Sequence, residues 1–79
     1  MTVLYSRPNC QPCIATKRAL DRHGIPHTVV DVTVDLDAAE HVRALGHLTA
    51  PVVVTPDGTH WSGYRPDRIA ALAAERRTA

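Results

Sequence analysis

Two cysteines, Cys10 and Cys13, are the residues of this chain whose type and spacing point most directly to chemistry. A thiolate is the reactive form of cysteine, and a free thiol is mostly protonated at neutral pH. The pair Cys10-Gln11-Pro12-Cys13 follows a short strand pattern and opens a helical one. At a helix N-terminus, unpaired N–H groups and the helix dipole favour an anion. Cys10, at or before the first turn, gains most from this, which suits it to attack a disulfide. Cys13, one turn deeper, is placed to attack Cys10 in turn and release the target. A bridge between residues so close removes little entropy from the unfolded chain, so it would do chemistry rather than hold the fold.

The neighbours modulate this expectation. Arg7 and Lys17 could add positive potential, although both also read as solvated surface charges. Pro12 has no N–H to offer a thiolate, which should make the pair more reducing than a C-P-x-C arrangement. A metal reading stands beside the redox one, because Cys10, Cys13, His23 and His27 come in zinc-finger-like order. Against it, only nine residues separate Cys13 from His23, and Gly24-Ile25-Pro26 interrupts the helix between the histidines. A metal or cluster module built on Cys10 and Cys13 alone would have half a ligand set. His41, His47 and His60 show no ligand spacing and read as surface or satisfied residues.

The remaining sequence must supply a scaffold for the pair. Seventy-nine residues allow one domain, 1–79, with a thin core. Phe is absent, so the core falls to Val, Leu, Ile and Ala with one Trp and two Tyr. Thr2 to Ser6 reads as a strand, Gln11 to Arg22 as a helix capped by Gly24, and His27 to Val32 as a second strand. Asp35 and Asp37 suit the start of a second helix through Ala38, Val42 and Leu45, stopped by Gly46. Val52 to Val54 and His60 to Ser62 form a hairpin around the turn signal Pro56-Asp57-Gly58-Thr59. Pro66 opens a last helix with Ile69, Leu72 and Ala73 on its apolar stripe. The order βαβαββα predicts an α/β fold: a four-stranded mixed sheet covered by three helices, with the first two strands parallel.

Nine basic and eight acidic residues are too balanced to nominate nucleic acid or an anionic membrane as partner. Arg76-Arg77 reads as a solvated helix end. No run of about 18 apolar residues suggests a membrane span. Met1 leads straight into the first strand pattern without signal-peptide features, which predicts a cytoplasmic location.

Several segments together carry a family resemblance: Arg7-Pro8-Asn9-Cys10, Ala15 to Leu20, Gly24-Ile25, Val30-Asp31, Ala44-Leu45-Gly46 and Ala50-Pro51-Val52-Val53-Val54. The most specific is Trp61-Ser62-Gly63-Tyr64-Arg65-Pro66-Asp67, which matches a W-S-G-[FY]-R-P-D signature. On these the chain resembles the glutaredoxin-like NrdH-redoxins of the thioredoxin fold. The resemblance implies a thiol–disulfide oxidoreductase that donates electrons to the large subunit of class Ib ribonucleotide reductase. It implies re-reduction by thioredoxin reductase, with electrons from NADPH through that enzyme's flavin and no cofactor on this chain, acting as a monomer. It also implies a cis peptide before Pro51, with the Ala50 backbone available to a partner strand, and a partner-facing role for Trp61 to Asp67. Trp61 reads equally as the large core aromatic. Two features depart from the family pattern: Gln11 precedes Pro12 instead of lying next to the second cysteine, and Thr49-Ala50-Pro51 is as close to the T-V-P of ordinary glutaredoxins. The alternatives are a glutathione-dependent glutaredoxin and a general thioredoxin-like reductase.

Overall fold

In the computed structural model, residues 1–78 are described, apart from the side chains of 77 and 78. The chain runs β1 (Thr2–Ser6), α1 (Gln11–Arg22), β2 (His27–Asp31), α2 (Leu36–Ala44), β3 (Val52–Val54), β4 (His60–Ser62) and α3 (Pro66–Thr78). The four strands form one sheet in the order β2-β1-β3-β4. β1 pairs in parallel with β2 and antiparallel with β3, and β3 pairs antiparallel with β4. This is the four-stranded mixed sheet that the sequence predicts, on the thioredoxin fold that the resemblance implies. β2 is one residue shorter than expected. Val32 leaves the strand, but its N–H still donates to the Ser6 carbonyl at 3.0 Å.

Local sequence explains the boundaries. Both α1 and α2 end in the same motif, with a left-handed glycine just past the helix. Gly24 has φ +66° and Gly46 φ +96°. The Ile25 N–H returns to the Leu20 carbonyl and the Gly24 N–H to Asp21, and His47 and Gly46 repeat the pattern on Val42 and Arg43. Orphan carbonyls of the last turn are thereby satisfied. At the other end of α2, Asp35 accepts the Ala38 N–H at 3.0 Å, the cap expected of it, while Asp37 sits in the first turn. The Gly58 N–H closes the hairpin turn on the Thr55 carbonyl at 3.0 Å, with Pro56 pre-set in the second position.

Strand alternation divides the two faces. Leu4, Val53 and Trp61 point to one face and join Ala19 and Leu20 of α1, Ile25, and Ile69, Leu72 and Ala73 of α3. The apolar stripe read in α3 is therefore the packed one. Tyr5 and Val52 point the other way, toward α2. There the Tyr5 ring lies 6.0 Å from that of His41. Arg76 is exposed, as read; the side chain of Arg77 and the residue Ala79 lie outside the described residues. No helix among the described residues is long and apolar enough to cross a membrane.

Candidate active site

The pairings of β1 gather the candidate residues at one end of the sheet. β1 runs toward this end and stops at Ser6, opposite Asp31 of β2. Its antiparallel neighbour β3 starts here, with Val52 opposite Tyr5, and β4 arrives at Ser62 opposite Val52. Four connections therefore share this end: Arg7 to Cys10, the segment leaving β2 at Val32, the segment entering β3 at Ala50-Pro51, and the segment leaving β4 at Gly63 to Arg65.

Asn9 makes the bend into the helix. Its φ is +56°, a left-handed conformation that Asn adopts more readily than most side-chain-bearing residues. Cys10 follows in an extended conformation as the N-cap of α1, and its Sγ accepts the backbone N–H of Cys13 at 3.2 Å. Sulfur thus occupies the place usually taken by a Ser or Asp oxygen, satisfying one of the helix's unpaired donors. Pro12 lies in the first turn, where its missing N–H leaves no intrahelical bond unmade. The Ile14 N–H bonds the Cys10 carbonyl at 3.1 Å, beginning the regular ladder.

Cys10 and Cys13 are joined as a disulfide, with their Cα atoms 5.2 Å apart. Both are buried, whereas Gln11 and Pro12 between them are exposed. Thr16, one turn on and fully buried, donates to the Pro12 carbonyl at 2.7 Å and so holds the first turn from beneath. Neither Thr16's bond nor the 43% exposure of Ile14, an apolar side chain directly after the second cysteine, was read from the sequence. A helical pattern marks Thr16 as inward but does not name its acceptor.

Of the candidate cations, Lys17 is committed elsewhere, to Asp21 at 3.0 Å on the exposed side of α1. Arg7 is exposed and lines an open groove of about 370 Å³ together with Tyr5, Arg43, His47, Thr49 and Ala50. The Ala50–Pro51 peptide is cis, as the resemblance implied. The Pro51 carbonyl accepts the Gly63 N–H at 2.8 Å, and Gly63 takes φ +83° to reach it.

The segment 61–67 splits into a buried start and an exposed end. Trp61 is 5% exposed and belongs to the core between α1 and α3, with the Arg68 guanidinium 5.8 Å from its ring. Its Nε1 is buried without a hydrogen-bond partner among the described residues. Ser62 and Gly63 are half-buried; Tyr64, Arg65, Pro66 and Asp67 face solvent. Arg65 donates to both carboxylate oxygens of Asp67 at 3.2 and 3.0 Å. That fork holds the Asp67 carboxyl below its usual range and raises the Arg65 guanidinium.

The zinc-like set does not assemble. His27 Nδ1 is 2.9 Å from the Ile25 carbonyl, to which it donates, and its other nitrogen lies 3.8 Å from Asp21. No three His, Cys, Asp or Glu side chains among the described residues converge as metal ligands. The other histidines are surface or satisfied residues, as expected: His41 is exposed, and His47 and His60 satisfy each other. His47 Nε2 and His60 Nδ1 meet at 2.7 Å, a contact between residues of the α2–β3 connection and β4 that sequence spacing cannot show.

Comparison with known proteins agrees with this geometry. The glutaredoxin family model matches residues 2–61. The glutaredoxin-like protein NrdH of Salmonella typhimurium is 45% identical over 69 residues, covering 87% of this chain and 84% of the relative. The gene 56 protein of Mycobacterium phage L5 is 39% identical over 87% of this chain and 68% of its own length. Among solved structures, the NrdH-redoxin of Escherichia coli, a glutaredoxin-like protein with a thioredoxin-like activity profile, superposes with TM-score 0.85 at 41% identity, covering 90% of this chain and 92% of that one. A glutaredoxin from Archaeoglobus fulgidus superposes with TM-score 0.79 at 26% identity over 90% and 83% of the two chains. A thiol pair at a helix start, on this sheet and with these relatives, makes the chain a member of the glutaredoxin family and, within it, one of the NrdH glutaredoxin-like thiol–disulfide redox proteins.

Proposed function

We propose that this protein is a cytoplasmic dithiol electron donor that reduces the large subunit of class Ib ribonucleotide reductase and is itself re-reduced by thioredoxin reductase. The observation that carries this reading is the segment Trp61 to Asp67, tied through Gly63 to the Pro51 carbonyl at the cysteine end of the sheet. It supports a thioredoxin-reductase-served donor because the signature it matches accompanies that electron pathway in the family resembled. The thioredoxin-like activity profile of the E. coli NrdH-redoxin supports the same choice.

Cys10 is the nucleophile and Cys13 the resolving thiol. The Cys10 thiolate attacks one sulfur of the target disulfide; a Cys10–target bond forms and one target thiolate leaves. Cys13 loses its proton and attacks Cys10 Sγ, releasing the second target thiolate and closing the Cys10–Cys13 disulfide. Two electrons pass to the target, and two return from NADPH through the flavin of the reductase. The Cys13 N–H favours this direction of attack, because it donates to Cys10 Sγ and a charged acceptor makes the stronger bond. Exposed Gln11, Pro12 and Ile14 offer the partner a contact surface around the buried sulfurs, and the Ala50 backbone offers it a strand edge.

A coupled assay tests the pathway. Oxidised protein should turn over with NADPH and thioredoxin reductase and pass electrons to class Ib ribonucleotide reductase. Turnover only with glutathione and its reductase would replace this reading with that of a glutathione-dependent glutaredoxin.

A further inference from the structure

We propose that His47, which lines the groove with Arg7 and Ala50, forms with His60 a pH-operated clasp, closed until the pair is forced to accept a second proton. The two rings meet edge to face, with centroids 4.8 Å apart and nitrogens 2.7 Å apart. At that distance one nitrogen supplies an N–H and the other a lone pair. One added proton is tolerated, since a charged ring can still donate to a neutral one. A second proton leaves two N–H groups pointing at each other, and the contact must open.

The surroundings oppose that second proton. His47 follows the glycine that ends α2 and lines the groove with Arg43 of α2 and Arg7 from the loop after β1. Both are cationic, and no Asp or Glu among the described residues lines this groove. Tyr5 of β1 also lines it, while His41 of α2 rests against the Tyr5 ring. The acid nearest in sequence to His60 is Asp57, in the turn before β4. It is engaged by Thr55 and Thr59 and lies beside Trp61 and Arg68 on the opposite face. Burial and the charge of His60 accordingly hold His47 below the usual histidine range.

The clasp joins the connection that leads to the cis peptide to the first residue of β4, at the end of that strand away from the cysteines. His47 begins the connection through Leu48, Thr49 and Ala50 to the cis peptide, and these three residues form part of the groove wall. Leu48 is 87% exposed and gives the segment no buried anchor of its own. His60 opens β4, the strand that delivers the Trp61-to-Asp67 segment. Opening the pair therefore frees the groove wall next to Ala50 while the sheet beneath stays paired. The clasp works the same way whichever partner reduces the protein.

The sign follows from linkage. His47 is depressed in the folded state, so its contribution to stability is present above the ordinary histidine value of 6.5 and is lost as pH falls through the lower folded value. Amide exchange on the oxidised protein, whose cysteines do not titrate, reads the effect. The protection factor of the residue 47 amide, which donates to the Val42 carbonyl at 3.1 Å, should fall tenfold or more between pH 7.5 and pH 5.0 once corrected for intrinsic exchange. It should hold steady in His60→Gln and His47→Gln. The Cε1 proton of His47 should titrate below the ordinary histidine range in the wild type and move upward in His60→Gln. Equal loss of protection in the variants, or a His47 titration that is ordinary in the wild type and unmoved in His60→Gln, would overturn the clasp.

Discussion

The backbone N–H of Gly63 donates to the carbonyl oxygen of Pro51 at 2.8 Å, fastening the end of β4 to the cis-proline peptide that starts β3. Gly63 makes this bond from φ +83°, and a Cβ there would meet nothing within 4 Å. Gly63→Ala should therefore act through backbone strain alone, at about 1–2 kcal/mol. In a domain of this size that corresponds to a fall in Tm of roughly 4–8 °C for each kcal/mol. Thermal denaturation of the oxidised protein checks it, and an unchanged Tm would show that the turn relaxes.

The cysteine roles make opposite forecasts for two conservative variants. Cys13→Ser should accumulate a mixed disulfide through Cys10, because the resolving thiol is gone. Cys10→Ser should not. Non-reducing electrophoresis of each variant with an oxidised substrate protein reads the result, and equal trapping by both would refute the assignment.

Trp61 should prove mainly structural. It sits in the core beside Leu4, Val53 and Ile69, so Trp61→Ala should cost about 3–5 kcal/mol. Trp61→Phe should cost clearly less, since it keeps most of the apolar volume and removes a buried Nε1 that has no partner among the described residues. Urea denaturation of the two variants gives the comparison.

The hairpin turn should show a carboxylate-dependent stability. Asp57 accepts from the Thr55 hydroxyl and from the Thr59 N–H, and these bonds hold its carboxyl below the ordinary value of 3.8. A depressed carboxyl contributes stability above its unfolded pKa and loses it as pH falls through the folded value. The wild type should thus have a higher Tm than Asp57→Asn at pH 7, with the gap closing below about pH 3.8. A gap that persists at pH 2 would assign the effect to shape rather than charge.

Much of the architecture was legible because its signals are local. Gly24 and Gly46 mark helix ends by a backbone conformation few other residues accept, and Asp35 and Pro66 mark helix starts. Cys10 and Cys13 were legible for the same reason: their three-residue separation fixes their relation once the helix start is known. What could not be read depends on contacts between distant segments. The bond from Gly63 to Pro51, the burial of Trp61 Nε1 and the meeting of His47 with His60 all follow from the register of β4 against β3 and from where α2 ends. Sequence periodicity assigns residues to faces but does not say which of two facing residues will touch. Lys17 illustrates the converse: a charge near the cysteines in sequence is spent on its own helix, on Asp21.

The N-cap sulfur has one more consequence. The atom that gains and loses electrons is also the atom to which the Cys13 amide donates. Oxidation state is therefore written into the electronic environment of a backbone proton. The Cys13 amide resonance should serve as an internal reporter, moving downfield when Cys10 becomes a thiolate and returning when the disulfide closes. A label-free titration of this single signal against a thiol buffer would give the midpoint of the couple while the protein is working.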